Sequence, residues 1–269
     1  MTPRFPEPAW LVGCGNMAGA MVAGWRSAGV DLAGVTAIRP SGKMVTGVRT
    51  VAALPGNEVP RFVMLGVKPQ KLGDVVPGLA PRIDERTVLV SLLAGVSAAT
   101  LRTQFPKARA IVRAMPNLPV AHRQGVTALY AEDASEEDRA SISALMQLLG
   151  IAPWTRDEAA FSAIGAVAGS GPAYVARFAA ALAKGGVGLG LDPGLANDIA
   201  IQTLVGTAAM AGHEDPGSIA RRVASPNGTT ERGLAALDAP GGLQSLIDNV
   251  LAAAIARGRE LAEEAAGRP

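Results

Sequence analysis

The segment that most constrains the fold of this chain is a glycine-rich turn between a short apolar run and a helical pattern. It reads WLVGCGNMA, a Gly-x-Gly-x-x-Ala arrangement that begins its turn at Gly13. Gly13 permits a tight turn, Gly15 lets the backbone approach a pyrophosphate, and Ala18 leaves room for helix packing. Unpaired N–H groups at the helix start, near Asn16 and Met17, attract an anion. The segment therefore predicts a dinucleotide site in an α/β domain.

The composition indicates a globular protein of one or two domains. The chain has 269 residues, of which 49% are hydrophobic, and a formal net charge of +2. With so little excess charge and no block of like charge, we expect no nucleic-acid partner. The single Cys14 excludes a disulfide within one chain and fits a reducing compartment. The first nine residues hold three prolines and no apolar signal-peptide core, so we expect a cytoplasmic protein.

Two regions follow from the succession of patterns. Short apolar runs alternate with helical patterns as far as about residue 157, which predicts a doubly wound parallel sheet of the Rossmann type. After that point only helical patterns follow. We therefore expect a nucleotide-binding domain at residues 1–157 and an all-α dimerisation and substrate domain at residues 158–269. The expected strands are Ala9–Val12, Val35–Ile38, Phe62–Leu65, Val88–Leu92, Ala110–Arg113 and Val126–Tyr130.

Capping residues and prolines mark the helices. Ser135 is the expected N-cap of a helix over Glu136–Leu149, which Gly150 ends. Further helices are expected over Ala159–Leu189, with a kink or break at Pro172, from Asp192-Pro193 to near Gly212, and over Leu243–Ala266.

One uncharged stretch, Ala159–Ala176, approaches the length of a membrane span. It consists mostly of Ala, Gly and Ser and contains Pro172, so large apolar side chains are sparse. Small residues let helix backbones approach each other closely. We interpret the stretch as a packed helix and a candidate oligomer contact, and expect no membrane association.

The loop after the second expected strand predicts which dinucleotide is bound. NAD-binding proteins of this architecture carry an acidic residue there, which holds the ribose 2′-OH. Here Arg39, Ser41 and Lys43 follow the strand, and the loop has no carboxylate. Two cations and a hydroxyl suit a 2′-phosphate. Ordinary solvated cations are the alternative. Given the preceding glycine turn, this loop favours NADP(H) over NAD(H).

Three further loops follow expected strands, whose carboxyl ends face the ligand crevice in such sheets. Val67-Lys68-Pro69 and Ala94-Gly95 are candidates for contacts with the nicotinamide half of the cofactor. A solvated Lys68 and a plain strand-to-helix turn at Ala94-Gly95 are the alternatives. The stiff loop Arg113–Pro119 either positions a ligand or serves as scaffold.

A cluster of hydroxyls lies near the start of a helical pattern that begins at Glu231. Ser225-Pro226-Asn227-Gly228-Thr229-Thr230 combines three hydroxyls with a proline and a glycine. Backbone N–H groups at a helix start can bind a carboxylate, and hydroxyls can bond a polar substrate atom. A helix cap without a ligand is equally consistent with this segment.

Other familiar catalytic patterns are absent from the sequence. It has no Ser-His-Asp elbow, no HExxH and no Cys/His cluster, so we expect no metal. Its two histidines, His122 and His213, have no obvious carboxylate partner in sequence. A bound NADPH with few protein acids indicates reduction of an already electrophilic small molecule, such as a protonated cyclic imine.

Together these segments resemble the pyrroline-5-carboxylate reductase family over nearly the whole chain. The resemblance implies a Rossmann domain followed by a helical dimerisation domain, assembled as a homodimer or as a decamer built of dimers. It implies reduction of L-1-pyrroline-5-carboxylate to L-proline with NAD(P)H, the last step of proline synthesis. The matching segments are Gly13–Ala18, Val67–Pro69, Ser91–Gly95, Arg113–Pro119, Gly169–Tyr174 and Ser225–Thr230.

The resemblance also implies roles in the hydroxyl-rich loop. The N–H groups of Gly228, Thr229 and Thr230 hold the substrate carboxylate, the Thr230 hydroxyl bonds the ring nitrogen, and Ser225 supports the loop. The family usually has Gly where this chain has Asn227. Asn tolerates left-handed backbone better than other non-glycine residues, so we expect the turn to survive.

Two alternative functions stay open at this point. A β-hydroxyacid dehydrogenase shares the glycine-rich start and uses a catalytic lysine; Lys184 is adjacent to two glycines but lacks the expected surrounding pattern. A non-catalytic NADP(H) sensor would retain the fold without turnover, and the intact Ser225–Thr230 loop argues against it.

Overall fold

An eight-stranded sheet forms the centre of the larger of two structural units. The computed structural model describes residues 3–56 and 58–266. The first unit comprises residues up to Ser170 and those from Ile255 onward, and the second comprises Gly171–Ala254. The strands are Ala9–Val12 (β1), Val35–Ile38 (β2), Arg49–Val51 (β3), Phe62–Leu65 (β4), Val88–Ser91 (β5), Ala110–Pro116 (β6), Gly125–Tyr130 (β7) and Gly150–Ile151 (β8).

The strand order β3-β2-β1-β4-β5-β6-β7-β8 confirms the predicted doubly wound sheet. The chain moves outward from β1 to β3 and returns to place β4 on the other side of β1. The order therefore reverses between β1 and β4, where ligands bind in such sheets. One strand differs from the parallel prediction, since β7 runs antiparallel to β6. Residues 117–124, which join them, are too few for a parallel crossover.

The sequence placed most strands correctly and missed two. β5 ends at Ser91 rather than Leu92, and β6 continues past Arg113 to Pro116. The missed strands, β3 and β8, have three and two residues. Such short segments cannot display the alternation on which strand prediction depends.

Helices cover both faces of the sheet, so its central strands are apolar on both sides. The first unit contains α-helices Asn16–Ser27 (α1), Leu72–Leu79 (α2), Ala98–Gln104 (α3), Glu136–Met146 (α4) and Glu158–Ile164 (α5). Buried residues of α1 and α4 pack on one face, and those of α2 and α3 pack on the other. The Trp25 indole N–H donates to the Leu145 carbonyl at 2.9 Å and thereby joins α1 to α4.

The predicted ends of α4 are confirmed. The Ser135 hydroxyl accepts the Asp138 N–H, and the Asp138 carboxylate accepts the Ser135 N–H, which forms a capping box. A short 3₁₀ turn continues α4 through Leu149, and Gly150 ends it with φ of +135°.

The second unit is helical, as predicted. It contains Gly171–Gly188 (α6), Pro193–Ala211 (α7), Pro216–Val223 (α8), Thr229–Leu237 (α9) and the first part of Leu243–Ala266 (α10). The Asp192 carboxylate accepts the N–H groups of Gly194 and Leu195, which confirms the predicted N-cap of α7.

The helical stretch predicted over Ala159–Leu189 is divided. A π-helical turn, Gly165–Gly169, separates α5 from α6. Pro172 lies in the first turn of α6. A backbone N–H in that turn would have no acceptor within the helix, so the proline, which lacks an N–H, is tolerated there. The stretch Glu158–Gly188 is long and apolar enough to cross a membrane by length and composition, and 11% of its most apolar window is buried.

In the loop after β6, Asn117 has a scaffold role. Asn117 is buried, and its side-chain amide donates to the Ala168 carbonyl at 2.9 Å. Its side-chain oxygen accepts the Val126 N–H at 2.8 Å. One side chain thus ties the β6–β7 connection to the π-helical turn.

Replacing this amide tests its structural role. Asn117→Ala leaves the Val126 N–H and the Ala168 carbonyl without their partner, and we expect the free energy of unfolding to fall by about 2–4 kcal/mol. Urea unfolding followed by tryptophan fluorescence measures the loss. The control Gln124→Ala removes an exposed amide from the same connection and should change stability by less than about 0.5 kcal/mol. Unchanged stability of Asn117→Ala would contradict the assignment.

Candidate active site

The glycine turn brings the ends of β1 and β4 into direct backbone contact. Gly13 has φ of +80°, and a Cβ there would lie 2.6 Å from the Val67 side chain. A Cβ on Gly66 would lie 2.4 Å from the Gly13 carbonyl oxygen and 3.3 Å from the Ala18 Cβ. Both glycines are therefore required by close approach. The small Ala18 packs at the same point, as the sequence predicted.

The start of α1 is open to an anion. Gly15 is the N-cap and has no heavy atom within 4 Å of its Cβ position. The N–H groups of Asn16 and Met17 have no intrahelical acceptor, and the helix dipole adds positive potential. The Met17 side chain packs against the core, so only its backbone faces an anion. These groups fit a dinucleotide pyrophosphate.

A cleft of about 360 Å³ adjoins this helix start, and we name it the cationic cleft. Three cationic side chains line it, those of Arg26, Arg39 and Lys43. No carboxylate is among its described lining residues. The clustering of Arg39 and Lys43 next to the glycine turn agrees with the predicted phosphate subsite. Its lining is Cys14, Gly15, Asn16, Gly19, Val22, Ala23, Arg26, Arg39, Lys43, Met44, Val45 and Thr46.

Two other residues of this region have local roles. Ser41 is exposed and outside the lining of the cleft, and its hydroxyl accepts the Lys43 N–H at 3.4 Å. Cys14 is buried, and this burial raises the pKa of its thiol above the usual range while the nearby Arg39 lowers it. The net direction is upward, so Cys14 is a neutral thiol rather than a further anion in the cleft.

The residues predicted to meet the nicotinamide half follow β4 and β5. Val67 lies against Gly13, and Lys68 is exposed. Pro69, Ala94 and Gly95 line a second cavity of about 860 Å³, whose wall includes Leu261–Glu264 of α10. The predicted cofactor residues thus follow four adjacent strands, β2, β1, β4 and β5, at one edge of the sheet. Some of them line one of the two cavities: Gly15, Asn16, Arg39 and Lys43 line the cationic cleft, and Pro69, Ala94 and Gly95 line the second cavity.

In the second unit, the loop Ser225–Thr230, which we name the substrate loop, forms a defined turn. The Gly228 N–H donates to the Ser225 carbonyl at 2.9 Å. Asn227 has φ of +59°. Proline at the second position and a positive φ at the third are typical of a type II turn. The expectation that Asn227 supports left-handed backbone is confirmed.

This turn opens helix α9. The helix begins at Thr229, two residues before the predicted start, and Gly228 is its N-cap. The Glu231 carboxylate accepts the Asn227 N–H at 2.8 Å. The N–H groups of Thr229 and Thr230 have no intrahelical acceptor. The Gly228 N–H, by contrast, already bonds the Ser225 carbonyl. An anion at this helix start would therefore meet the N–H groups of Thr229 and Thr230.

The side chains of this loop have distinct environments. Thr230 is half-buried, and Thr229 is exposed. A Cβ on Gly228 would lie 2.5 Å from the Ser225 hydroxyl oxygen, so Ser225 packs on the face of that glycine. Ser225 therefore shapes the turn, in keeping with a supporting role.

Sequence reasoning missed several neighbouring residues. Glu231 stands three residues after the N-cap, where an acid commonly bonds back to the chain, so its role was recognisable. Glu214 pairs with Arg222 of α8 at 2.6 Å. Arg26 of the cationic cleft had no sequence signal, because it lies ten positions after Asn16.

The glycine turn at a strand-order reversal places the chain in the Rossmann-type class of nucleotide-binding proteins. Residues 158–261 match the family model for pyrroline-5-carboxylate reductase dimerisation. The chain is 36% identical to a pyrroline-5-carboxylate reductase of Pseudomonas aeruginosa, with 98% of both chains covered. The chain therefore belongs to the pyrroline-5-carboxylate reductase family of enzymes, as the motifs predicted.

Solved structures agree. A pyrroline-5-carboxylate reductase from Coxiella burnetii matches with a TM-score of 0.87 at 30% identity, covering 96% of this chain and 99% of that one. A Plasmodium falciparum pyrroline carboxylate reductase with NADP bound shares the fold, with a TM-score of 0.81 at 23% identity. That match covers 95% of this chain and 98% of the Plasmodium chain.

The left-handed residue of the substrate loop yields a test. Asn227→Val places a β-branched residue at positive φ, which costs about 1–2 kcal/mol. We expect hydrogen–deuterium exchange in the peptide spanning residues 225–231 to accelerate about tenfold. Asn227→Gly is the matched control and should retain slow exchange. Equal exchange in the valine variant and the unmodified protein would contradict the proposed turn strain.

Proposed function

We propose that this enzyme reduces L-1-pyrroline-5-carboxylate to L-proline, the last step of proline synthesis, with NADPH preferred over NADH. The observation that carries the proposal is the substrate loop, where a turn exposes two helix-start N–H groups next to a half-buried hydroxyl. Family membership supports the reaction, since the Pseudomonas relative named for it aligns with 98% of this chain.

The cofactor part of the proposal assigns each half of NADPH to residues of the first unit. Gly13, Gly15, Asn16 and Met17 would cradle the pyrophosphate, and the open helix start supports this fit. When bound, the dihydronicotinamide supplies the hydride that reduces the imine carbon, while the ring nitrogen retains a proton. The other cofactor residues are Arg39, Ser41 and Lys43 for the 2′-phosphate and Val67, Lys68, Pro69, Ala94 and Gly95 for the nicotinamide half.

The cationic cleft supports NADPH over NADH. A 2′-phosphate is a dianion that matches the Arg39 guanidinium and the Lys43 ammonium, whereas a ribose hydroxyl would leave them without a counter-charge. The Plasmodium protein of the same fold is described with NADP bound.

The substrate loop would hold the imine by its carboxylate. The N–H groups of Thr229 and Thr230, at the positive end of α9, would donate to the two carboxylate oxygens. The Thr230 hydroxyl would then bond the ring nitrogen, where the C=N bond becomes an amine. Ser225 and Gly228 maintain the turn. Catalysis on this scheme comes from positioning and from fixed dipoles rather than from a protein acid.

The second unit supports assembly as a homo-oligomer, and we propose a homodimer, which a decamer built of dimers would contain. Helix α7 is apolar around much of its surface, which is typical of a helix buried by a partner. Phe178 on α6 and Val205 on α7 are 47% and 56% exposed within one chain. The small residues of Ala159–Ala176 would allow close contact between subunits. We further propose a cytoplasmic enzyme with domains at residues 1–157 and 158–269.

An assay with alternative substrates tests the function. Oxidation of NADPH is followed by absorbance with L-1-pyrroline-5-carboxylate, a six-membered imine carboxylate and a β-semialdehyde. We expect turnover to be fastest with the five-membered imine and to yield L-proline. Preference for the semialdehyde would support a β-hydroxyacid dehydrogenase instead. NADPH binding without turnover of any imine would support a sensor.

Thr230→Val tests the assignment of the hydroxyl. The substitution keeps the backbone N–H and the side-chain shape, so we expect kcat to fall about tenfold or more through one lost hydrogen bond. The dissociation constant of NADPH, from fluorescence titration, should stay unchanged. Thr103→Val makes the same chemical change on the exposed surface of α3 and should keep full turnover. Undiminished kcat in Thr230→Val would remove this hydroxyl from the mechanism.

A further inference from the structure

Among the described residues that line the cationic cleft, Arg26 is the cation that neither the motifs nor the family resemblance assigns. Helix α1 presents Asn16, Gly19, Ala23 and Arg26 to the cleft, at spacings that place them on one helix face. The Cβ position of Gly19 has no heavy atom within 4 Å. Small residues therefore keep the groove open from the helix start to Arg26, over about 15 Å of helix.

A tight turn across the cleft holds the Arg26 side chain in place. The Val48 N–H donates to the Val45 carbonyl at 3.2 Å, and the Thr50 hydroxyl accepts the Val45 N–H at 3.0 Å. Gly47 in this turn has φ of +81°. A Cβ on Gly47 would lie 2.4 Å from the Arg26 Nε and 2.7 Å from its Cδ. Arg26 thus packs against Gly47, and a Cβ at that position would displace the Arg26 side chain.

The charges of the cleft call for an anion. Arg26, Arg39 and Lys43 line a volume of about 360 Å³, with no carboxylate among the described lining residues. Like charges gathered in one cleft repel each other, and the cleft attracts a ligand of opposite charge. Two of the three are guanidinium groups, whose planar donor sets match phosphate oxygens. The volume suits one nucleotide half of a dinucleotide rather than the whole.

We infer that Arg26 is a specificity-determining residue that binds the 2′-phosphate of NADP(H) together with Arg39 and Lys43. The inference rests on the proposed cofactor preference and extends it to a residue on α1. Side chains on a helix lean toward its amino end, and Arg26 lines the same cleft as Asn16 at the phosphate-binding helix start. NADH lacks the 2′-phosphate and gains nothing from this contact.

Four variants of the full chain test the inference. Arg26→Gln removes the charge, and Arg26→Lys retains it without the planar donor set. Gly47→Ala keeps Arg26 but displaces it from its packing surface. Arg61→Gln is the matched control, because Arg61 is exposed and precedes β4 at the opposite edge of the sheet. Arg39→Asp is the reference for a lost phosphate contact.

Two readouts separate recognition of the phosphate from a structural effect. Calorimetry measures the dissociation constants of 2′,5′-ADP and 5′-AMP, and steady-state kinetics measures kcat/KM with NADPH and NADH. We expect Arg26→Gln to weaken the binding of 2′,5′-ADP, and to lower kcat/KM for NADPH, by about tenfold or more. This is the effect of losing one charge-assisted hydrogen bond. Values for 5′-AMP and NADH should stay within about twofold. Arg26→Lys and Gly47→Ala should show the same selectivity with smaller changes.

The outcomes distinguish this inference from the function on which it rests. If Arg26→Gln weakens the binding of 2′,5′-ADP and 5′-AMP equally, or changes neither, the role inferred for Arg26 is wrong. A selective loss in Arg39→Asp would then show that the NADPH preference stands. If the unmodified enzyme binds 5′-AMP as tightly as 2′,5′-ADP, both the NADPH preference and the inference are wrong, while the imine substrate is unaffected.

Discussion

The backbone contact between Gly13 and the Gly66-Val67 peptide is the constraint on which the nucleotide-binding unit depends. It joins the ends of β1 and β4, the two strands between which the sheet reverses its order. A side chain at either glycine would force the strands apart at this point. Because α1 starts directly after the contact, its open N–H groups are fixed at the crevice. The loops that carry Arg39 and Pro69 follow β2 and β4, the two neighbours of β1 in the sheet.

A second local constraint shapes the other unit. Pro226 sets the first dihedral of a tight turn, and Asn227 adopts a positive φ that few residues tolerate. Helix α9 begins directly after this turn, and Thr229 and Thr230 are the first residues of the helix. Both units thus use one physical device, a strained or tight turn that ends in an open helix start. Each such start leaves backbone donors open, and we propose that one binds a pyrophosphate and the other a carboxylate.

Much of the fold and part of the site followed from local patterns. β1, β2 and β4 were placed to the residue, because buried strands between turn residues are short apolar runs. Helix caps such as Ser135 and Asp192 were recognisable because capping depends on neighbouring residues only. The direction of β7 could not be predicted from local patterns, since it depends on the distance that residues 117–124 can span. The roles of Arg113–Pro119 also depend on contacts distant in the chain, and the contacts of Asn117 show a scaffold role for that residue.

By itself, the sequence determined the dinucleotide turn, the absence of an acid after β2, the order of the helices and the family. These features depend on residues close together in the chain, so local sterics and short motifs are enough to reveal them. Only the tertiary structure decided that Arg26 joins Arg39 and Lys43, and that the Gly228 N–H is already bonded. The reason is physical: the charges of a cleft meet across residues distant in the chain. A hydrogen bond also depends on dihedral angles that a residue's identity permits but does not dictate.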